Sequence, residues 1–215
     1  MKNLFNKNLL LRVFSLIIFI PLMLLPIIVS NYLLFSIYIF FNAVILYEIQ
    51  LMKVQDEKKS LLIIYKVLTI FVFFTFILMI ITEVMTSIDI IEVIIIIWLF
   101  DTFSFLGGKI IGGRKLMPLV SSGKTWSGLL VGVAVTLFIF YIYSMAIYDF
   151  SLKYLMYISI IILFAFLGDV IASMLKRLSS IKDSGYIMPG HGGLLDRLDS
   201  FLGVFFFIGI LQLLQ

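Results

Sequence analysis

The sequence predicts an all-α integral membrane protein, a polytopic bundle of about seven transmembrane helices (six to eight) with a cytoplasmic N-terminus. Of its 215 residues, 63% are hydrophobic and only 13% are charged, whereas a soluble domain carries about 25% charged residues. Such a chain lacks the polar surface that a globule needs in water. Because a helix crosses a bilayer with about 20 apolar residues, seven spans use roughly two-thirds of the chain and leave no room for a large soluble domain.

Seven apolar runs are long enough to be transmembrane helices, and they lack the alternation of membrane-barrel strands. Their ranges are 9–29, 31–49, 61–82, 88–106, 128–148, 153–175 and 200–215. Pro21 and Pro26 are expected to kink the first span or divide it. Its basic start resembles a secretory signal, but the run is too long and has no small-residue cleavage site, so we expect a retained anchor. We treat 1–215 as one membrane domain, with an N-terminal helical half (1–97) and a catalytic half (98–215).

The distribution of lysine and arginine predicts the orientation of the chain. With seven spans, 15 of the 16 basic residues fall on one face, and only Lys153 lies on the other. The opposite loops carry Glu83, Asp89 and Asp149 instead. Because basic loops stay inside, this face is expected to be the cytoplasmic face of the cytoplasmic (inner) membrane. The net charge of +4 then reflects topology and attraction to anionic lipid, and no soluble basic module is present to bind nucleic acid.

Two segments on the predicted cytoplasmic face, 107–127 and 176–199, break the lipid-facing pattern. Both are rich in glycine, cations and hydroxyl groups. Lys124 and Thr125 follow a glycine as they would at the end of a P-loop, but Pro118 stands where the first glycine of that motif belongs, and no strand is predicted before it. A Walker A site is therefore excluded, although Lys124 remains able to meet a phosphate. The absence of cysteine also excludes disulfides, thiolate metal sites and cysteine nucleophiles.

Three aspartates lie just before the second segment or at its end. Asp169 lies near the end of span six, and Asp196 and Asp199 lie three residues apart, so that a helix starting span seven places them on one face. An aspartate at the centre of a membrane helix costs about 2.5–3.5 kcal/mol unless it is paired, solvated or bound to metal. The three together predict a Mg²⁺ site, because Mg²⁺ prefers hard oxygen ligands and keeps water and phosphate in its shell.

The surrounding residue types are those that bind phosphate. If span six stays helical, Ser173 and Lys176 share a face with Asp169. The glycine-rich stretch 189–193 permits close approach of backbone N–H groups to a phosphate. The nearby cations are Lys124, Lys176, Arg177, Lys182 and Arg197. Carboxylates, metal, cations and a glycine loop together indicate phosphoryl or nucleotidyl transfer.

Each feature also has a structural interpretation. Taken alone, Lys176 and Arg177 are explained as basic residues that set the membrane orientation. Asp196 and Arg197 are explained as polar residues that flank a helix at the membrane interface. A single histidine such as His191 is more often structural than catalytic.

For three acidic residues, the position relative to an apolar run indicates whether a functional role is favoured. Asp169 and Asp101 follow long apolar runs, which favours a function for both, whereas Glu48 fits either interpretation. Gly128 and Gly132 form a G-x-x-x-G pattern that indicates helix packing or dimerisation rather than chemistry.

Residues 173–199 read SMLKRLSSIKDSGYIMPGHGGLLDRLD and resemble the signature of the CDP-diacylglycerol synthase (phosphatidate cytidylyltransferase) family. The family pattern is Ser-x-x-Lys-Arg, four residues, Lys-Asp-x-Gly, then Pro-Gly-His-Gly-Gly, two residues and Asp-Arg-x-Asp. The chain matches it without a gap at Ser173, Lys176, Arg177, Lys182, Asp183, Gly185, Pro189, Gly190, His191, Gly192, Gly193, Asp196, Arg197 and Asp199. The upstream segment agrees more loosely, with departures at Ser104, Ser122 and Ser127, where the family usually has Ala, Pro and Glu.

The resemblance implies that the cytidylyl group of CTP is transferred to phosphatidic acid, giving CDP-diacylglycerol and pyrophosphate in phospholipid biosynthesis. It implies Mg²⁺, alone or together with a second cation, and a membrane-lipid partner, with a homodimer left open. The implied metal ligands are Asp169, Asp196 and Asp199. The implied catalytic residues are Lys176, Arg177, Lys182, Asp183, His191 and Arg197. The implied substrate-binding residues are Asp101, Lys124, Thr125, Ser173, Gly190, Gly192 and Gly193.

Three other functions remain as alternatives. A CTP-dependent polyprenol or phytol kinase is the nearest, and it would leave CDP rather than pyrophosphate. A CDP-alcohol phosphotransferase fits poorly, because the two further aspartates of its pattern are missing after Asp199. A transporter would place polar residues near the middle of the membrane, whereas here they cluster at one face.

Overall fold

The computed structural model describes residues 2–147, 151–188 and 192–214, and within these ranges it describes all side chains except those of 2–14, 16, 57 and 147. In the described residues the chain forms seven α-helices, a short 3₁₀ turn (Asp56–Lys58) and one β-hairpin. The elements are α1 (Lys2–Val29), α2 (Asn31–Leu51), α3 (Lys59–Ile81), α4 (Ser87–Ile110), β1 (Lys115–Met117), β2 (Ser121–Thr125), α5 (Trp126–Ile147), α6 (Leu152–Leu178) and α7 (Leu195–Leu213).

Five helices are long and apolar enough to cross a membrane, namely α2, α3, α4, α5 and α6. The chain is therefore all-α and has the character of an integral membrane protein, as predicted. In α1 the described side chains form a shorter apolar stretch, Ile17–Val29, and the helix runs undivided through Pro21 and Pro26. The helix α7 carries three charges in its first five residues, so it does not count among the five. The count of seven spans and the position of the N-terminus stay predictions.

The first polar segment is more ordered than the predicted loop. Strands β1 and β2 pair antiparallel, with Lys115 opposite Thr125 and Met117 opposite Ser121. Gly112 and Gly113 both adopt positive φ, 67° and 105°, which turns the chain from α4 into the hairpin at a position that favours glycine. Hairpin pairing satisfies backbone groups that would otherwise need water as a partner.

Small residues bring α4 and α5 into close contact. A Cβ added at Gly128 would lie 2.5 Å from the Ser104 carbonyl oxygen, and one at Gly132 would lie 3.0 Å from the Phe100 carbonyl oxygen. The first distance is shorter than real Cβ contacts and the second is tighter than most of them, so the two glycines are what allows the backbones to approach. The packing interpretation of the G-x-x-x-G pattern is confirmed, and the packing is within the chain.

A second glycine contact joins α6 to α7. A Cβ at Gly168 would lie 2.9 Å from Gly203 Cα, and one at Gly203 would lie 2.8 Å from Gly168 Cα. The crossing point is therefore one residue before Asp169 and one turn after Asp199. Close packing of these two helices brings the two carboxylates into the same region of the bundle.

Aromatic side chains connect the N-terminal half to α7. Tyr38 on α2 stacks on Phe76 of α3 with ring centroids 4.4 Å apart, and Phe76 meets Phe205 of α7 edge-on at 4.9 Å. All three side chains are buried. This cluster fixes α2 and α3 against the helix that carries Asp196 and Asp199.

Candidate active site

A cavity of about 460 Å³ opens between α4, the hairpin, α5 and α6. Four residues from the predicted site line it: Asp101, Lys124, Thr125 and Asp169. The other polar and small lining residues are Ser104, Gly108, Lys109, Lys115, Ser121, Gly123 and Gly128. Its remaining wall is apolar, formed by Phe100, Phe105, Leu116, Leu129 and Phe166. The cavity thus combines a polar centre with an apolar wall, which suits an amphipathic ligand.

An ion pair joins the two polar segments inside this cavity. Lys124 Nζ on β2 lies 2.7 Å from Asp169 Oδ2 on α6, and the two side chains are 21% and 30% exposed. Ser173 Oγ donates to Asp169 Oδ1 over 3.2 Å, which confirms the predicted shared face of α6. The Lys124 Nζ atom itself is buried, and it also lies 5.2 Å from the centroid of the Phe166 ring, so a bound anion contacts Lys124 only if the Asp169 carboxylate moves aside.

Thr125 has a structural contact as well as a place in the cavity. Its hydroxyl oxygen accepts a hydrogen bond of 3.1 Å from Gly128 N–H at the start of α5. Helix starts have N–H groups without intrahelical partners, and a threonine hydroxyl is a common acceptor for them. Ser127, where the family usually has Glu, donates to the carbonyl oxygen of Gly112 and so holds the turn between α4 and the hairpin against the start of α5.

A second ion pair lies deeper, between α6 and α7. Lys176 Nζ is 2.5 Å from Asp196 Oδ1 and 4.0 Å from Asp199 Oδ2. The Lys176 and Asp196 side chains are only 9% and 8% exposed, so removing one partner would leave an uncompensated charge in a low-dielectric position. Lys176 therefore bridges the two aspartates that flank the start of α7.

Asp196 also holds the loop that precedes α7. Its Oδ2 accepts hydrogen bonds from Ser184 N–H at 2.8 Å and from Gly193 N–H at 3.0 Å. Burial raises the pKa of this carboxyl, but hydrogen bonding and charge attraction from Lys176, with the two backbone N–H groups, outweigh that effect and hold the pKa below its usual value. Both carboxylate oxygens of Asp196 are therefore engaged by protein donors.

Three other carboxylates approach one another across α4, α6 and α7. Asp101 Oδ2 accepts from Ser200 Oγ at 3.1 Å, and Asp199 Oδ1 accepts from Ser200 N–H at 2.9 Å. The charge on Asp169 acts on both Asp101 and Asp199. Opposing this repulsion, Lys124 and Arg197 place positive charge near Asp101.

These contacts bear on the predicted metal site. Within the described residues, no three acidic or histidine side chains form a ready coordination sphere for a metal ion. The donor chemistry of Asp101, Asp169 and Asp199 suits Mg²⁺, because all three supply carboxylate oxygens in one region. The assignment of Asp169, Asp196 and Asp199 as metal ligands stays a prediction.

Glu48, which the sequence left undecided, contacts the catalytic half directly. The Glu48 side chain on α2 is buried, and its carboxylate accepts from Leu194 N–H at 2.8 Å, Leu195 N–H at 2.9 Å and Ser184 Oγ at 2.8 Å. It therefore caps the start of α7 from a different helix, where unpaired N–H groups favour a negative charge. The sequence signal was an acid near the end of an apolar run, the same signal that singled out Asp101.

Arg177 connects the two polar segments through backbone oxygens. Its guanidinium donates from Nε to the Val120 carbonyl at 3.0 Å and from Nη1 to the Ile181 carbonyl at 2.8 Å. Val120 lies in the turn of the hairpin, and Ile181 begins the loop after α6. In this arrangement Arg177 holds the hairpin next to that loop. The sequence did not predict this role, because it depends on which backbone carbonyls the fold brings close to the guanidinium.

The remaining predicted residues lie around the loop before α7. Lys182 and Asp183 line a different cavity of about 420 Å³, which they share with Glu48 and Tyr47. Gly192 adopts a positive φ of 90° and its carbonyl accepts from Met188 N–H at 2.9 Å. The predicted phosphate contacts of Gly190 and His191 lie outside the described residues.

Comparison with known proteins matches almost the whole chain to one family. The model of the cytidylyltransferase family matches residues 2–214. The chain belongs to the cytidylyltransferase family. This confirms the family resemblance seen in residues 173–199.

Several relatives within the cytidylyltransferase family carry a more specific name. The chain is 46% identical over 124 residues to a phosphatidate cytidylyltransferase of Rickettsia typhi, a match covering 53% of this chain and 54% of that protein. It is 48% identical over 125 residues to the enzyme of that name from Rickettsia felis, covering 53% and 55%. It is 40% identical over 116 residues to that of Staphylococcus saprophyticus, covering 53% and 45%. The matched part therefore spans about half the length of these relatives.

Proposed function

We propose that this cytidylyltransferase-family protein transfers the cytidylyl group of CTP to phosphatidic acid in the membrane. A phosphate oxygen of phosphatidic acid attacks the α-phosphorus of CTP and forms a new P–O–P bond. The bond from the α-phosphorus to the β-phosphate oxygen breaks, and pyrophosphate leaves. The products are CDP-diacylglycerol and pyrophosphate, with all atoms accounted for.

The observation that carries this proposal is the alternation of opposite charges from the hairpin to α7. Lys124 pairs with Asp169, and Lys176 pairs with Asp196 and faces Asp199. The attacking group is already an anion, so the reaction needs no strong general base. Its barrier comes mainly from repulsion between phosphates and from charge on the leaving pyrophosphate, which fixed cations reduce.

The two paired lysines suit different roles in this proposal. Lys124 lines the cavity with its Nζ covered by the pair with Asp169, so it meets a triphosphate when that carboxylate turns to the metal ion. Lys176 is enclosed between two aspartates, so it orients those carboxylates and balances their charge. Arg177 contributes by holding the hairpin that carries Lys124.

Mg²⁺ is part of the proposal. Asp169 and Asp199 are the carboxylates best placed to hold it, with Asp101 nearby, whereas Asp196 would have to exchange its contacts with Lys176, Ser184 and Gly193. When bound, the ion neutralises phosphate charge and the charge that develops on the leaving pyrophosphate. The protein supplies the positioning, because the carboxylates and Lys176 come from helices packed at glycine contacts and Lys124 comes from the hairpin that Arg177 holds.

The direct test is turnover by purified protein in vesicles that contain phosphatidic acid. With labelled CTP, we expect CDP-diacylglycerol and pyrophosphate in equal amounts, dependent on Mg²⁺. Asp169→Asn should lower the rate by about 100-fold or more, since removing one well-placed charged group costs this much in a water-poor site. Asp56→Asn is the matched control, because Asp56 is exposed and pairs only at the surface with Lys59.

The products separate this function from a lipid kinase. A CTP-dependent kinase would yield CDP and a phosphorylated lipid without pyrophosphate. That result, or full activity of Asp169→Asn, would contradict the proposal.

A further inference from the structure

We propose that Lys109 and Lys115 form the docking site for the phosphomonoester headgroup of the lipid substrate, at the mouth of the cavity. This inference rests on the proposed function, and it separates the binding place of the lipid phosphate from that of the nucleotide. Neither lysine belongs to the family-like signature in residues 173–199. From the sequence alone, both lysines are explained as residues that set the membrane topology.

The two lysines share one cavity and are available for a ligand. Lys109 comes from the last turn of α4 and Lys115 opens β1, and both line the cavity of about 460 Å³. Both side chains are exposed. Within the described part of the chain, the ion pairs involve Lys59, Lys124 and Lys176, so neither Lys109 nor Lys115 has its charge neutralised by an acid.

The turn between α4 and β1 explains why the two lysines line the same opening. Gly112 and Gly113, both at positive φ, reverse the chain after α4. Trp126 N–H then donates to the Arg114 carbonyl at 3.1 Å, which closes the base of the hairpin. The hairpin therefore returns Lys115 to the end of α4 instead of extending it into solvent.

Apolar surface beside the lysines indicates a lipid as the source of the phosphate. Phe105 is 66% exposed, Ile110 80% and Ile111 64%, all near the end of α4. Lys109 Nζ lies 5.9 Å from the centroid of the Phe105 ring, so charge and apolar surface are contiguous. A soluble triphosphate would leave this surface uncovered, whereas a lipid places its headgroup at the lysines and its chains along α4.

Charge favours a phosphomonoester over other anionic lipids. A phosphomonoester carries about −1.5 to −2 charges at pH 7, which two unpaired lysines match, whereas a phosphodiester lipid carries a single negative charge. Phosphatidic acid is the membrane phospholipid with this headgroup. A phosphate held here lies in the same cavity as Lys124, which the apolar side chains of Phe105 and Leu116 also line.

The kinetic test is the double variant Lys109→Gln with Lys115→Gln, assayed in mixed micelles. We expect the KM for phosphatidic acid, in surface-concentration units, to rise by about tenfold or more, since a hydrogen bond to a charged group is worth this much. The KM for CTP should stay within about twofold, because Lys124 rather than these lysines meets the nucleotide. Lys109→Arg with Lys115→Arg should restore the KM for phosphatidic acid.

Lys53→Gln is the matched control. Lys53 is an exposed lysine on the same predicted face and does not line the cavity, so this change should leave both KM values at the wild-type level. A rise in the KM for CTP with no change for phosphatidic acid would overturn the proposal and assign the lysines to the nucleotide. Wild-type values for both substrates would overturn it too.

A binding measurement distinguishes this inference from the proposed reaction. Purified protein is exchanged into detergent with equal amounts of phosphatidic acid and phosphatidylglycerol, and the retained lipid is quantified by mass spectrometry. The wild-type protein should retain phosphatidic acid preferentially, and the double glutamine variant should lose that preference, whether or not CTP is turned over. Equal retention of the two lipids by the wild-type protein would refute the site, even if turnover were observed.

Discussion

Glu48 and Asp196 show how single carboxylates organise the site. They share Ser184 as a donor, and between them they accept four backbone N–H groups, from Ser184, Gly193, Leu194 and Leu195. A buried carboxylate is expensive unless hydrogen bonds compensate its lost solvation. Here the compensation also orders the loop before α7, so the same contacts that stabilise the acids hold the loop in place.

Removing the Glu48 carboxylate should therefore destabilise the whole protein. Glu48→Ala leaves the buried N–H groups of Leu194 and Leu195 without their acceptor and removes one of the two acceptors near the Ser184 hydroxyl, and we expect a loss of at least about 2 kcal/mol in the free energy of unfolding. Glu48→Gln retains one carbonyl oxygen, so its free energy of unfolding should lie between those of Glu48→Ala and the wild type. Thermal unfolding in detergent measures this, with Asp56→Ala as an exposed control that should not change. Wild-type stability of Glu48→Ala would contradict the capping role.

Helix contacts through glycine determine where the charges of α6 and α7 meet. The crossing at Gly168 and Gly203 has backbone against backbone, with no side chain between. Larger residues would hold the helices farther apart, since interhelical distance depends on the side chains at the contact. Asp169 and Asp199 both lie on the side of this crossing where α6 ends and α7 begins, so their separation follows from the size of two glycines.

Adding a methyl group at this crossing should affect both stability and activity. Gly203→Ala places a Cβ 2.8 Å from Gly168 Cα, and overpacking of this kind costs about 1–3 kcal/mol. We expect a lower unfolding temperature together with reduced turnover, because α7 must shift away from α6. In Gly123→Ala the added Cβ meets no atom within 4 Å, so its unfolding temperature should remain unchanged. A Gly203→Ala protein as stable as wild type would show that the crossing is looser than described.

One side chain from α6, that of Arg177, holds the hairpin in place. Arg177 donates to Val120 in the turn of the hairpin and to Ile181 in the loop after α6. These two bonds connect segments that lie far apart in sequence and that together contain most of the predicted site.

Loss of Arg177 should loosen the hairpin locally. In Arg177→Ala, we expect amide hydrogen exchange of residues 115–125 to become at least about fivefold faster, because exchange follows local opening free energies and a bond to a charged donor is worth over 1 kcal/mol. The amides of α3 serve as the internal reference and should keep their rates. Unchanged exchange in the hairpin would exclude the connecting role.

In the whole molecule, the N-terminal half supports the site that the C-terminal half carries. The aromatic contacts of Tyr38, Phe76 and Phe205 place α2 and α3 against α7. The Glu48 carboxylate on α2 then reaches the start of α7. The two halves are thus joined by an apolar contact within the bundle and a polar contact at its end.

The absence of cysteine makes the orientation directly testable. Leu119, 93% exposed in the hairpin turn, and Tyr186, 96% exposed in the loop before α7, are expected on the cytoplasmic face, and Lys153 on the opposite face. In right-side-out vesicles, a membrane-impermeant maleimide should label Lys153→Cys only. In inverted vesicles it should label Leu119→Cys and Tyr186→Cys instead. Labelling of Leu119→Cys and Tyr186→Cys from opposite sides would contradict a common face for the two polar segments.

Much of the architecture was predictable because lipid imposes simple rules. Long apolar runs must be helical, since backbone groups have no other partner in hydrocarbon. Four of the seven predicted ranges lie within a single helix, and the other three extend at most two residues beyond one. The hairpin was not predictable, because 115–125 has no strand periodicity, and Pro118, although proline is favoured at the second position of a turn, does not by itself indicate a hairpin. The contacts of Arg177 depend on backbone positions brought together only by packing. Asp101, Lys124, Thr125 and Asp169 do line one cavity, whereas Lys182 and Asp183 line another.

By itself, the sequence determined the helical membrane character of the chain, its two polar segments and its family, because composition and a gap-free motif are properties of the chain alone. Only the tertiary structure decided which charges neutralise one another, that Glu48 caps α7, and that Lys109 and Lys115 share the cavity with Asp169. The physical reason is that charge interactions act over a few ångströms, and such separations are set by how helices cross and by where a hairpin folds back.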